Sequence, residues 1–311
     1  MLPEPLVQLF RGFFMGAADI VPGVSGGTVA LILGIYRRLV DTIHDGAHAL
    51  KQLVTGDFKG GFESLKAVDW LFIIPLGAGA LSAFIVLRGP MKVALEEHSE
   101  TTAAVFCGLV LASCWLVWNE MKLKDPIRIA ITAGVAIPAF VLLGFQNGAV
   151  SNPNIFFFFG TGAIAICAMI LPGISGSFIM LMLGMYASIL GGSVPELAVF
   201  LLGATIGLGL FSTVLTWLLA NYEQTVLAAL LGLMLGSFRV LWPWPNGVGY
   251  TIEEGELETV VRGTGLELWP DVGSLVSAAV VAVVAAALTV VIVHVAARLS
   301  PELNEPVVLA S

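Results

Sequence analysis

One stretch, residues 11–38 (RGFFMGAADIVPGVSGGTVALILGIYRR), constrains the whole chain. It is apolar enough for a membrane, yet its middle holds Asp19, Pro22 and the run GVSGGT at 23–28. Proline removes a backbone donor, and glycine costs about 1 kcal/mol of helix stability relative to alanine. Two half-helices meeting at a polar break are therefore expected, not one continuous helix. The same text returns 150 residues later. Residues 20–36 (IVPGVSGGTVALILGIY) fall on 170–186 (ILPGISGSFIMLMLGMY) with nine identities in 17 positions and no gap. A repeat of that quality indicates duplication and governs how the fold is read.

Composition says where such a chain lives. Of 311 residues, 58% are apolar and 12% charged, against about 25% charged in a soluble domain. Mean hydropathy is +0.95. The fold class expected is an all-α polytopic membrane protein, a single membrane domain over 1–311, with the bilayer as its first partner. The net charge of −8 gives no support to a nucleic-acid partner. Acidic loops hint at a high-salt organism. Cys107, Cys114 and Cys167 stand in apolar segments and read as small hydrophobes. No cofactor or metal is expected; His44 and His48 alone make a poor metal signal. The first ten residues, MLPEPLVQLF, lack a basic region and a cleavage site, so no cleaved signal peptide is expected.

A span needs about 20 apolar residues. The first broken segment covers 5–40, a polar stretch 41–69 follows, and spans are expected at 70–87, 103–118 and 127–145. The second broken segment covers 155–190, followed by spans at 197–220, 226–242 and 272–297, with an acidic loop at 243–271. A second echo, GLVLAS at 108–113 with Trp118 against GLMLGS at 232–237 with Trp242, has a shift of 124. Two repeats result, 5–145 and 155–298, each a re-entrant broken hairpin plus three spans. Re-entrant hairpins place ten Lys and Arg (11, 37, 38, 51, 59, 66, 122, 124, 128, 298) inside and four (88, 92, 239, 262) outside. That split obeys the positive-inside bias and puts both termini in the cytoplasm. Three crossings between the hairpins invert one repeat relative to the other, a secondary-transporter pattern. Eight simple spans are the competing count.

Non-helical backbone survives at membrane depth only inside protein or beside water. Each break should thus adjoin a polar cavity, with the free N–H groups of a new half-helix aimed into it. Ser25, Gly26, Gly27 and Thr28 in one copy, with Ser175, Gly176 and Ser177 in the other, are the candidate anion site, and phosphate suits it best. The glycines permit close approach and the hydroxyls donate. Plain helix packing with locally bonded serines is the alternative. Arg11 and Arg37 are candidates to neutralise phosphate, because Arg binds it bidentately; snorkelling anchors are the competing role. Asp19, where the other copy has Met169, is the candidate coupling residue. It either takes up a proton, pairs with Arg11 or Arg37, or caps the second half-helix.

The GVSGG run also matches G-x-S-x-G, and GVSG and GISG match the G-x-S-G of rhomboid-type intramembrane proteases. The elbow motif needs a preceding strand, and the only histidine within a span is His294. No catalytic residue is assigned, and the chain is read as no enzyme.

The motifs GAADIVPGVSGGT at 16–28 with GIY at 34–36, and LPGISGS at 171–177 with GMY at 184–186, resemble those of the polyprenyl-phosphate transporter (PopT) family, long catalogued as a membrane domain of unknown function. The resemblance covers about residues 7–298. It implies a plasma-membrane flippase that returns undecaprenyl phosphate from the outer to the cytoplasmic leaflet, for reuse as lipid carrier of envelope polysaccharides. In a halophilic archaeon the implied substrate is a dolichyl-type phosphate. A transporter of another small anion, and a rhomboid-like serine hydrolase, are the other readings. A coupling ion and a homo-oligomer stay open.

Overall fold

The computed structural model describes residues 3–20, 25–145, 150, 153–246, 251–253, 256–258 and 265–299. The chain is helical: α1 (Glu4–Asp19), α2 (Gly26–Ile32), α3 (Tyr36–Val54), α4 (Phe58–Ala67), α5 (Trp70–Glu97), α6 (Ser99–Glu120) and α7 (Pro126–Leu142) come first. Then follow α8 (Ile155–Ile170), α9 (Gly176–Met182), α10 (Tyr186–Leu190), α11 (Val194–Gly236), α12 (Phe238–Leu241) and α13 (Val272–Leu299). Between α12 and α13 the loop carries two small antiparallel ladders among its described residues, Pro245–Asn246 on Gly265–Leu266 and Thr251–Glu253 on Glu256–Glu258.

Four helices among the described residues are long and apolar enough to cross a membrane: Trp70–Glu97, Ser99–Glu120, Val194–Leu241 and Val272–His294. The third has 48 residues, about 72 Å at 1.5 Å per residue, or more than two bilayer cores of about 30 Å. It bends at Tyr222, whose φ of −137° and ψ of 36° leave the helical region. Pro126–Leu142 and Ile155–Ile170 are shorter apolar helices. The polar stretch 41–69 folds as most of α3 and all of α4, which pack on one another.

Glycine decides which helices meet. Where a Cβ would stand on Gly12 of α1 lies the Leu76 carbonyl of α5, and Gly79 of α5 faces the Leu9 carbonyl in return. The α8–α11 contact repeats this: Gly162 faces the Phe200 carbonyl and Gly203 the Phe159 carbonyl. Gly12 maps onto Gly162 at a shift of 150, and Gly79 onto Gly203 at a shift of 124. Small residues let helix backbones approach this closely in a membrane protein. A second pair of contacts crosses the molecule. Gly108 of α6 faces the Ala282 carbonyl of α13, and Gly232 of α11 faces the Thr132 carbonyl of α7. These two contacts exchange under the same two shifts.

Both short helices end alike. In α2 the Gly34 amide bonds the Leu31 carbonyl and the Ile35 amide the Ala30 carbonyl; Gly184 to Leu181 and Met185 to Met180 match them after α9. This is a Schellman ending, whose terminal residue has positive φ. Gly34 and Gly184 both have φ of 68°.

Candidate functional site

The first break lies between α1 and α2; Pro22 and Gly23 are outside the described residues. Ser25 caps α2 in extended backbone (φ −125°, ψ 137°), and its Oγ accepts from the Gly27 amide at 3.0 Å. The Asp19 carboxylate folds back from the end of α1 and accepts from the Gly26 amide at 2.6 Å. The Thr28 amide bonds the Ser25 carbonyl at 2.9 Å. Of the alternatives for Asp19, capping is the contact present. The expectation of free amides at the start of α2 is corrected: the chain's own carboxylate, hydroxyl and carbonyl take them.

The second break is built differently. Pro172 is fully buried, and Gly173 adopts φ of +86° with its Cα against the Met234 backbone, where a Cβ would come within 2.8 Å. Ser175 stands at the start of α9 without a side-chain cap, and its Oγ lies 2.8 Å from that of Ser177. Met169 takes the place of Asp19: its Cγ stands 2.5 Å from where a Cβ on Gly176 would be, as the Asp19 carboxylate stands against Gly26. The thioether offers no capping oxygen, so the two half-helix starts differ in charge and in capping.

The two breaks touch one another. Ser25 Oγ donates to the Met169 carbonyl at 3.2 Å. The Gly173 amide donates to Thr28 Oγ1 at 3.0 Å. Gly27 has no room for a Cβ, since the Ile170 carbonyl lies 2.5 Å from that position. Ser25 and Thr28 are wholly buried, Ser175 is 4% exposed, and Ser177 is half-buried. Segments 144 residues apart in sequence thus form one polar junction inside an apolar protein.

The arginines fall elsewhere on the scaffold. Arg11, 9% exposed, lies on α1 about two turns before Asp19 and donates from Nη1 to Gln8 Oε1 at 3.1 Å. Arg37 pairs at 3.6 Å with Asp41 on its own helix, and Asp41 accepts from Thr216 of α11 at 3.1 Å. Gln8, 1% exposed, escapes a reading of sequence.

Ser25 Oγ is bonded to a carbonyl, not to a base, and His294 Nδ1 sits 2.9 Å from the Val290 carbonyl of its own helix. That geometry offers no nucleophile–base pair.

A helical, multi-pass membrane protein with two interrupted segments in contact has the build of a membrane transporter. The model of the VCA0040-like family, undecaprenyl phosphate translocase-like, matches residues 15–258, and the chain belongs to that family. A Vibrio cholerae serotype O1 protein named polyprenyl-phosphate transporter is 37% identical over 251 residues, covering 79% of this chain and 80% of its own length. A Staphylococcus aureus protein of the same name is 28% identical over 259 residues, covering 76% of this chain and 86% of its own. These descriptions are of transporters and not of enzymes. No solved structure matches the chain.

Proposed function

We propose that this protein moves a polyprenyl phosphate, undecaprenyl phosphate or an archaeal dolichyl-type phosphate, from the outer to the cytoplasmic leaflet of the plasma membrane, where the carrier is reused. The observation that carries the reading is the buried junction of the two breaks, Ser25 with Met169 and Gly173 with Thr28. Family membership and the names of the two relatives supply the substrate class. The exchange of the Gly108 and Gly232 contacts supports a two-fold between the repeats. Three crossings between the hairpins make that relation an inverted one, with both termini cytoplasmic.

In this reading the phosphate is held by hydroxyls and amides of Ser25, Gly26, Gly27, Thr28, Ser175, Gly176 and Ser177. Arg11 and Arg37 offset its charge, and the prenyl tail stays in lipid. The direct contacts between the breaks open as the headgroup enters. A ligand shifts such an equilibrium only by binding the open state better, and a dianionic phosphate with several donors does so. Asp19 is the coupling residue. Its carboxylate occupies the Gly26 amide and repels an anion, so protonation both loosens the hold on that donor and removes the repulsion.

The test is flipping in proteoliposomes. A fluorescent polyprenyl phosphate is expected to cross at a protein-dependent rate while a short soluble phosphate does not. Transport of the soluble phosphate alone would replace this reading with that of a small-anion transporter.

A further inference from the structure

Helix α4 has no part in the transport reading, yet it is built with care. Asp57 starts it by accepting from the Gly60 amide at 3.0 Å. Gly61 seats it on α3: a Cβ there would stand 2.6 Å from Leu53 Cδ2. Ser64 Oγ donates to Gln52 Oε1 of α3 at 2.7 Å. One side of α4 is thereby accounted for.

The next side is apolar and bare. Phe58, Phe62 and Leu65 recur at the spacing of one helix face. Phe58 is 64% and Phe62 58% exposed, and Val54 at the end of α3 is 79% exposed. At about 3.6 residues per turn, Gly61 and Ser64 fall on one flank of that stripe and Lys59 and Lys66 on the other, with Glu63 beyond the lysines. Lys59 and Lys66 are exposed and join no ion pair among the described residues. The two acids that bracket α4 are engaged: Asp57 caps it, and Asp69 caps α5 and pairs with Arg38.

The neighbouring element says what covers the stripe. The membrane-crossing α5 begins at Trp70, whose indole Nε1 donates back to the Leu65 carbonyl of α4 at 2.8 Å. That bond holds the last turn of α4 at the level where the chain enters the bilayer, the level that tryptophan marks in membrane proteins. Aromatic rings flanked by lysines at the lipid–water boundary fit a surface of anionic lipid. The rings sit among the upper acyl chains while the lysine stems reach the phosphates.

We infer that α4 is an interfacial helix docked on anionic lipid, with Phe58 and Phe62 as its apolar anchors and Lys59 and Lys66 as its headgroup contacts. The docking is independent of which lipid the protein carries. It ties α3, the helix that leaves the first break, to the membrane surface.

The experiment uses the full-length protein in liposomes, with Cys107, Cys114 and Cys167 replaced and a fluorophore on Phe62→Cys or Glu63→Cys in turn. Lipids carrying a nitroxide near the headgroup are expected to quench at 62 and not at 63, and iodide on both sides of the membrane to do the reverse. Adding phosphatidylglycerol to phosphatidylcholine should strengthen the lipid quenching at 62. Lys59→Gln with Lys66→Gln, or raised salt with both lysines in place, should abolish that gain, because the attraction of lysine to an anionic surface is electrostatic and screened. The salt arm needs no lysine variant, so loss of fold cannot imitate the result. Three outcomes overturn the inference: iodide quenching at both positions without lipid quenching, self-quenching between labelled copies at 62, which would put a second copy on the stripe, or lipid quenching at 62 indifferent to lipid charge and salt.

Discussion

Thr28 and Gly173 are joined by a hydrogen bond of 3.0 Å between the two breaks: the Gly173 amide donates to Thr28 Oγ1 in a site where Thr28 is wholly buried. An amide left unpaired in such a place costs about 1–3 kcal/mol. Thr28→Val keeps the shape and removes the acceptor. It is expected to lower stability by about that amount, read as a lower melting temperature in detergent, and to slow flipping. Thr28→Ser keeps the oxygen and should retain most of both.

The glycine contacts give a paired expectation. Gly12→Ala and Gly162→Ala each push a methyl into a backbone carbonyl, that of Leu76 in one copy and of Phe200 in the other. A backbone atom cannot step aside as a side chain can, and overpacking of this kind costs about 1–3 kcal/mol. Similar falls in melting temperature are expected for the two variants. Gly77→Ala, with nothing within 4 Å of the added methyl, is the control and should show no fall.

Asp19 gives the pH dependence. The ionised carboxylate holds Gly26 through a charge-assisted bond and opposes an anion; the protonated one holds the amide more weakly and opposes no anion. Lower pH on the side from which Asp19 is reached should therefore speed flipping. Asp19→Asn mimics the neutral acid and should give a rate that no longer responds to pH, measured in proteoliposomes across a pH series. A pH profile unchanged by Asp19→Asn removes the residue from coupling.

Arg38 ties three elements together. Its Nη2 lies 2.7 Å from both Glu4 and Asp69, and its guanidinium carbon is 4.5 Å from the Phe72 ring centre. Asp69 also caps α5 by accepting from the Phe72 amide at 3.2 Å. The paired side chains are more than a third exposed, so each pair contributes at most about 1 kcal/mol. Arg38→Lys loses the fork that serves both carboxylates and should cost about 1 kcal/mol, seen as a modest fall in melting temperature with flipping retained.

The breaks and the duplication were legible because they are local: proline, glycine and a repeated string announce themselves in one dimension. The echo at 108–113 and 232–237 likewise pointed to two glycines that the fold uses as matched contacts. Which carbonyls those glycines meet, and that Thr28 reaches Gly173, depend on packing between segments 145 residues apart, and no local pattern encodes it. The capping of α2 was legible only as one of the alternatives for Asp19, for a related reason. A half-helix start looks open in sequence, but a carboxylate seven residues back can fold onto it. Gln8 was missed because one polar residue in an apolar opening looks like an end effect; it is buried on the same face of α1 as Arg11, Gly12 and Met15, and α1 packs on α5.

In the proposed architecture two related interrupted segments dip in from opposite faces and meet. Single cysteines in a background lacking Cys107, Cys114 and Cys167 test it with a membrane-impermeant maleimide. Gly191→Cys and Pro153→Cys flank the second broken segment, and Lys59→Cys lies on α4 after the first. The account requires Gly191→Cys and Pro153→Cys to label from outside intact cells and Lys59→Cys only from the cytoplasmic side. Labelling of Gly191→Cys and Pro153→Cys from opposite faces, or of all three from one face, would contradict it.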